Sequence, residues 1–338
     1  METGPIRVAV AWQELANQPA QLRRIAEACG SEPLIWDSSA SLAGVEVFVA
    51  GEGPETLPDE PGDLRLLQCA SAGIDWLRDH PIWRSGVQIA NASGVHGVQI
   101  PEHVFALLLA LTRNITGFIE AQHRHEWRDN GPIAGELYGC TMGLIGYGHI
   151  GRGIAHLARA FGMRVLATSA SVREEAPLSI PRVAPFRDPP AIPGPGLEPD
   201  KRLPLEALPW LLAASDVIVI CAALTERTRH LIDARALDHV KRGAYLINIA
   251  RGKIVEESAL VQALRDGRLA GAGLDVTDEE PLPRDSPLWD LPNVVITPHI
   301  SGASPHYVER TVNILLANIA CLRRGERPVT AVDRERGY

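Results

Sequence analysis

Thr141 to Gly151 reads TMGLIGYGHIG. The apolar run Met142–Ile145 predicts a buried strand. It breaks at Gly146-Tyr147-Gly148, and Ile150, Ile154, Leu157, Ala158 and Phe161 then recur at helical spacing. Strand, tight turn and helix in that order give a Gly-x-Gly-x-x-Gly pattern its meaning. Gly146 permits the turn, Gly148 lets a pyrophosphate approach the backbone, and Gly151 lets helix and strand pack closely. The unpaired N–H groups and the positive dipole end at the start of the helix favour an anion. The stretch therefore reads as a dinucleotide site rather than a plain glycine turn.

Composition sets the frame around it. A chain of 338 residues, 46% hydrophobic and 22% charged, is ordinary for a globular protein and long enough for two cores. A net charge of −8 argues against general affinity for nucleic acid or an anionic membrane surface, which calls for clustered basic residues. The opening METGPIRVAVAW has no leader-like apolar run, and nowhere do about 18 apolar residues follow one another. Cys29, Cys69, Cys140, Cys221 and Cys321 are scattered, without C-x-x-C spacing, so neither a zinc site nor a disulfide framework is expected. The expectation is a soluble, cytoplasmic protein.

Taken in order, Ile6–Ala11, Val45–Ala50, Leu64–Gln68 and Val87–Asn91 predict strands, and Leu15–Cys29 predicts a helix. This alternation implies a parallel sheet. Ala70-Ser71-Ala72-Gly73-Ile74-Asp75 is a small-residue turn at a strand's carboxyl end, where open α/β sheets bind ligands, although a plain loop reads equally well. Pro101 opens a nearly all-apolar helix to Thr112, buried against another lobe or a second subunit. Residues 121–138 are polar and read as a surface crossover, with His123 and His125 solvated rather than ligating. The strand Met163–Thr168 should end at the adenosine ribose, where an acid would select NAD. Ser169, Ser171 and Arg173 stand there instead and suit a 2′-phosphate, favouring NADP over NAD. The Pro-rich stretch from Pro177 to Pro209 cannot form a helix or central strand and reads as a surface insertion. Beyond it, Leu205–Leu212, a turn into a helix over Thr225–Leu231, and Glu257–Asp266 predict helices. Asp216–Cys221 and Ala244–Ile249 predict strands.

Three strand ends in the last third carry candidate chemistry. Asn248-Ile249-Ala250-Arg251-Gly252 supplies an Arg, whose planar fork grips a carboxylate through two parallel hydrogen bonds. Gly273-Leu274-Asp275-Val276 leads to Glu279-Glu280-Pro281, and Val294-Val295-Ile296-Thr297-Pro298 leads to His299. A carboxylate beside an imidazole favours the protonated ring, which is the acid needed when a hydride reaches a carbonyl carbon. Singly, Arg251 or His299 could be a structural hydrogen-bonding residue; together and beside a nucleotide turn they read as a site.

On SAGID, GVHGVQIPEHVFALLLALTRN, GLIGYGHIGRGIA, LINIARGKIVEESAL, GAGLDV with EEPLP, SPLWDLPNVVITPHISG and VDRERGY, the sequence resembles the D-isomer-specific 2-hydroxyacid dehydrogenases from about Leu66 onward. The resemblance implies an α/β architecture of two Rossmann- or flavodoxin-like, doubly wound parallel-sheet domains. Residues 1–100 and 300–338 would form the substrate domain, and an inserted NAD(P)-binding domain would span 101–299. It implies a homodimer acting on a small 2-ketoacid or D-2-hydroxyacid of the glyoxylate/hydroxypyruvate type. Arg251 would hold the substrate carboxylate and carbonyl, His299 would be the acid/base, and Glu280 would keep His299 protonated. Ala72 and Gly73 would offer backbone N–H groups to the same carboxylate. The cofactor would meet Gly146, Tyr147, Gly148, His149, Ile150, Gly151, Ser169, Arg173, Ala222, Ala223, Thr228, Ile249, Ala250, Arg251, Asp275, His299 and Gly302, with Asp275 at the nicotinamide carboxamide. Departures are Ala223 where the family often has Pro, the missing acid at Ser169 and the Pro-rich insertion; with the sequence stopping at Tyr338, no separate C-terminal regulatory domain is expected. A nucleotide-binding sensor or corepressor would keep the glycines and could lose Arg251, Glu280 and His299, all present here. Other Rossmann enzymes, such as S-adenosylhomocysteine hydrolases or L-alanine dehydrogenases, do not explain EEPLP followed by TPHISG.

Overall fold

The computed structural model describes residues 4–37, 40–51, 53–127, 135–169 and 201–335. The chain divides into two compact units. One comprises Met1–Val95 and Ser304–Tyr338, and the other is built mainly from His96–Pro177 and Ile192–Ala303, so the second lies within the first in sequence.

The first unit holds five parallel strands, β1 (Val8–Val10), β2 (Leu34–Ile35), β3 (Val47–Ala50), β4 (Leu66–Cys69) and β5 (Gln88–Ala90), in the order β2-β1-β3-β4-β5. Successive side chains alternate between faces. Val47 and Val49 join a core completed by Ile25 and Cys29 of a helix over Pro19–Cys29 and by Val312, Leu315 and Ile319 of a helix over Tyr307–Arg323. Phe48 and Ala50 face the opposite core, with Leu77, Ile82 and Val87. A sheet covered on both faces reads as continuous apolar runs, which is why β1, β3, β4 and β5 stand out in the sequence while the short, part-exposed β2 does not.

The second unit is a seven-stranded parallel sheet: β6 (Thr141–Ile145), β7 (Arg164–Thr168), β8 (Lys201–Leu203), β9 (Val217–Ile220), β10 (Ala244–Asn248), β11 (Leu269–Leu274) and β12 (Val294–Ile296). Their order, β12-β11-β10-β9-β6-β7-β8, places the switch point between β6 and β9, where doubly wound sheets take their ligands. Helices over Gln99–Thr112 and His149–Ala160 bury Val104, Leu108, Ile154 and Ala158 on one face, and helices over Leu208–Ala214 and Glu257–Arg265 bury Leu211, Leu212, Leu260 and Leu264 on the other.

Several boundaries differ from expectation. The apolar helix begins at Gln99, so Pro101 is its third residue, where the first turn still needs no donor from it. A further helix, Ile115–His123, occupies the start of the supposed crossover, entered through Asn114 at φ 51°. Thr225–Leu231 is a turn tied down by Thr228; the helix comes later, over Ala234–Asp238, capped by Asp233. The tail of the Pro-rich stretch supplies β8, an edge strand, where a neighbouring proline costs no ladder bond; residues 177–200 lie outside the described residues. Among the described residues no single helix is long and apolar enough to cross a membrane.

Candidate active site

The glycine turn follows β6 directly. Gly146 has φ +99°, and a Cβ there would stand 2.8 Å from the Ala222 backbone, so the left-handed turn and the close approach both require glycine. A Cβ on Gly151 would meet Gly146 O at 2.9 Å, whereas one on Gly148 would meet nothing within 4 Å. The first and third glycines thus close the packing, and the second leaves a cradle open at the start of the helix. That is the space a dinucleotide pyrophosphate fills, and the residues present fit one. His149 opens the helix; burial first, then the charge of Arg152, holds its imidazole below the usual histidine range. Ile150 follows it in the same turn. Ala222 and Ala223 follow β9, and the neighbouring loop is pinned by Thr228, whose hydroxyl donates to Ala223 O at 2.7 Å and accepts from Thr225 N at 2.7 Å. Ser169 ends β7, while Ser171 and Arg173 lie outside the described residues.

The remaining candidates follow three adjacent strands. β10, β11 and β12 are neighbours in register, Asn248 beside Leu274 and Leu274 beside Ile296, so Arg251, Asp275 and His299 leave the sheet at one edge. Asn248, almost fully buried, staples the first loop: its amide donates to Arg251 O at 3.0 Å and accepts from Ala250 N at 3.1 Å. Arg251 Nη1 donates to Ala250 O at 2.8 Å. Ile249 is buried beneath them. The second loop passes so near that a Cβ on Gly252 would lie 1.9 Å from the Thr277 carbonyl. Glu280 closes that loop by accepting from Thr277 N at 3.2 Å with Oε1. Its Oε2 accepts from His299 Nδ1 at 2.7 Å. A carboxylate only accepts, so Nδ1 carries the hydrogen. Nε2, with no partner among the described residues, is the nitrogen left to exchange a proton. Both side chains are part-exposed, 46% for His299 and 38% for Glu280.

His299 stands at φ +52°, a conformation L residues seldom adopt, and Asp275 holds it there. His299 N donates to Asp275 O at 2.8 Å, and the buried Asp275 carboxylate accepts from Thr297 Oγ1, Ile300 N and Ser301 N at 2.6, 2.9 and 2.9 Å. Burial alone would raise this carboxyl; the bonds from Ser301, Thr297 and Ile300 outweigh it and hold it below the usual aspartate range. His103 completes the network, with Nε2 2.9 Å from Thr297 Oγ1 and 3.6 Å from Asp275 Oδ1. Gly302 receives a hydrogen bond from Gln99 Nε2 at 3.1 Å. Asn248, His103 and Thr297 were not singled out from the sequence, because a polar residue inside an apolar segment does not announce its partner.

Ala72 and Gly73 belong to the other unit, after β4. Their carbonyls accept from Asn91 Nδ2 at 2.9 Å and Ser71 Oγ at 2.8 Å. Their N–H groups find no acceptor among the described residues.

The model of the D-isomer specific 2-hydroxyacid dehydrogenase NAD binding domain matches residues 105–187 and 197–301. The chain belongs to the D-isomer-specific 2-hydroxyacid dehydrogenase family. A glyoxylate reductase of Pyrococcus horikoshii is 35% identical over 279 residues, covering 80% of this chain and 77% of that protein. A glycerate dehydrogenase of Methylorubrum extorquens is 34% identical over 298 residues, covering 84% and 85%. Among solved structures, a D-isomer specific 2-hydroxyacid dehydrogenase from Xanthobacter autotrophicus in complex with NADPH and MES covers 99% of this chain and 100% of its own, at a TM-score of 0.78 and 26% identity. As a 2-hydroxyacid dehydrogenase the chain is a nicotinamide-dependent oxidoreductase that moves a hydride between NAD(P)H and a small 2-ketoacid.

Proposed function

We propose that this dehydrogenase reduces a glyoxylate- or hydroxypyruvate-type 2-ketoacid, preferring NADPH, with His299 as the acid and Arg251 gripping the substrate carboxylate. The observation that carries the reading is the 2.7 Å contact between His299 Nδ1 and Glu280 Oε2, which leaves Nε2 to act. The reduced nicotinamide, when bound, supplies the hydride. Glycines 146, 148 and 151 with His149 and Ile150 seat the pyrophosphate, and Ala222, Ala223, Ile249 and Ala250 line the way to the strand ends. Arg251 presents two parallel N–H groups to the carboxylate and so orients the carbonyl. As the carbonyl oxygen gains charge, His299 Nε2 gives it a proton, and Glu280 stabilises the ring through the change. In the oxidative direction the same nitrogen takes the hydroxyl proton. The seven-stranded unit serves the nucleotide, and the five-stranded unit, with the Ala72 and Gly73 amides, serves the substrate. Five unpaired thiols suit the reducing cytoplasm. A second copy covers the exposed face of the Ile115–His123 helix, giving a homodimer.

The test is His299→Gln, assayed with a panel of 2-ketoacids and both NADH and NADPH. Turnover should fall by roughly 10²–10⁴, the usual worth of a positioned acid/base, while a fluorescence titration finds cofactor still bound. Near-wild-type turnover would overturn the assignment of the acid.

A further inference from the structure

Arg202 comes from β8, the edge strand beyond the Pro-rich stretch, and lies in register with Ala167 of β7. Its Nη2 is 3.5 Å from Ser169 Oγ, a long contact that leaves its donors largely unspent. Its guanidinium carbon is 5.6 Å from the centroid of the Tyr147 ring. Arg152, at the end of the first turn of the helix that opens with His149, brings a second guanidinium carbon to 5.9 Å from the same centroid. Two cations therefore converge on one ring. Neither has a carboxylate partner among the described residues, and Arg202 Nε is sealed from solvent without an acceptor. A buried N–H with nothing to bind is costly, and two like charges on one ring repel. A ligand bringing negative charge and several oxygens would relieve the repulsion and take up the outer guanidinium donors.

The position names the ligand. Tyr147 lies between the first two glycines of the turn, and Ser169 ends the second strand of the nucleotide unit, where the adenosine ribose is met in this fold. We propose that Arg202 and Arg152, with Tyr147 as their platform, form the receptor for the 2′-phosphate of NADPH, and that Arg202 decides cofactor choice. The inference rests on the reading of the glycine turn as a nicotinamide-dinucleotide site. It assigns the selecting cation to a strand that arrives after the insertion, rather than to the residues directly following β7. The guanidinium plane suits a phosphate through paired N–H groups, and the aromatic ring steadies the cation while it waits.

Binding of 2′,5′-ADP and 5′-AMP, measured by titration calorimetry, tests this without turnover, since neither carries nicotinamide. Wild-type protein should bind 2′,5′-ADP about tenfold or more tightly than 5′-AMP, the worth of one or two charge-assisted hydrogen bonds. Arg202→Gln should reduce that preference to about twofold or less, Arg202→Lys should keep part of it, and added salt should weaken 2′,5′-ADP more than 5′-AMP. Arg152→Gln, away from the edge strand, should lower the preference by a smaller factor and guards against a folding defect in the first variant. If wild type discriminates and Arg202→Gln discriminates equally well, the inference is overturned and the NADPH preference stands with its receptor elsewhere. If wild type binds both nucleotides equally, the NADPH preference fails with it. If it binds neither, the dinucleotide reading itself fails.

Discussion

Asp275 gives and takes no proton in the proposed reaction, yet the acid stands on backbone that its carboxylate fixes. Its folded-state pKa lies below the ordinary value of about 3.9, because three N–H or O–H donors reward the charged form more than burial penalises it. A depressed carboxyl stabilises the fold fully above the unfolded value and loses that contribution as pH falls through the folded one. Asp275→Asn should therefore cost on the order of 1–3 kcal/mol at neutral pH, since an amide N–H now faces Ile300 N or Ser301 N, and the gap from wild type should close in strongly acid solution. Urea unfolding at neutral pH and below about pH 4 checks this; a gap independent of pH would place the charge elsewhere. Arg251 invites a sharper substitution. Arg251→Lys keeps the charge and loses the fork, so kcat/KM for 2-ketoacids should drop by roughly 10²-fold or more, with cofactor Kd changed far less. An equal loss of cofactor affinity would show that Arg251 serves the nucleotide.

At the scale of elements, the site is a meeting of loops that parallel strands deliver to one edge. Gly252 is where two of them touch. Gly252→Ala would drive a Cβ into the Thr277 carbonyl, and backbone, unlike a flexible side chain, cannot step aside cheaply. Overpacking of this kind costs about 1–3 kcal/mol, and here the shift would separate the Arg251 loop from the one that carries Glu280. A lower Tm together with a disproportionate loss of kcat is the expected outcome; a variant as active as wild type would show the contact to be slack. Much of this was legible beforehand. β6, β9 and β10 are buried on both faces, so their apolar runs stand out, and the turn after β6 carries its own signature. Less was legible where geometry depends on a distant partner. Leu34–Ile35 is only two residues long, and Lys201–Leu203 is polar and preceded by prolines, yet the pairing of the latter with β7 delivers Arg202. Tyr307–Arg323 carries too mixed a surface for its period to be noticed, although Val312, Leu315 and Ile319 seal one face of the smaller sheet.

For the whole molecule, the proposed homodimer is tested at an exposed apolar stripe. Ile115, Phe118 and Ile119, at helical spacing, are 44%, 40% and 46% exposed. Phe118→Asp with Ile119→Asp should convert a dimer to a monomer in light scattering after size exclusion, and a wild-type monomer would refute the assembly. The order of the chain has another consequence, in time rather than in space. The five-stranded core needs Ile6, Val8 and Val10 from one end of the sequence and Val312, Leu315 and Ile319 from the far side of the other unit. At about 5–20 residues per second, the ribosome takes on the order of tens of seconds to cross the intervening stretch. The seven-stranded unit, which lies in sequence between these two parts of the first, can be finished while the strands made first still lack the cover that Val312, Leu315 and Ile319 give one face. The newborn chain therefore passes through a period in which the part made first is the part least able to protect itself, and in the cell that exposed β-sheet is what a chaperone would meet.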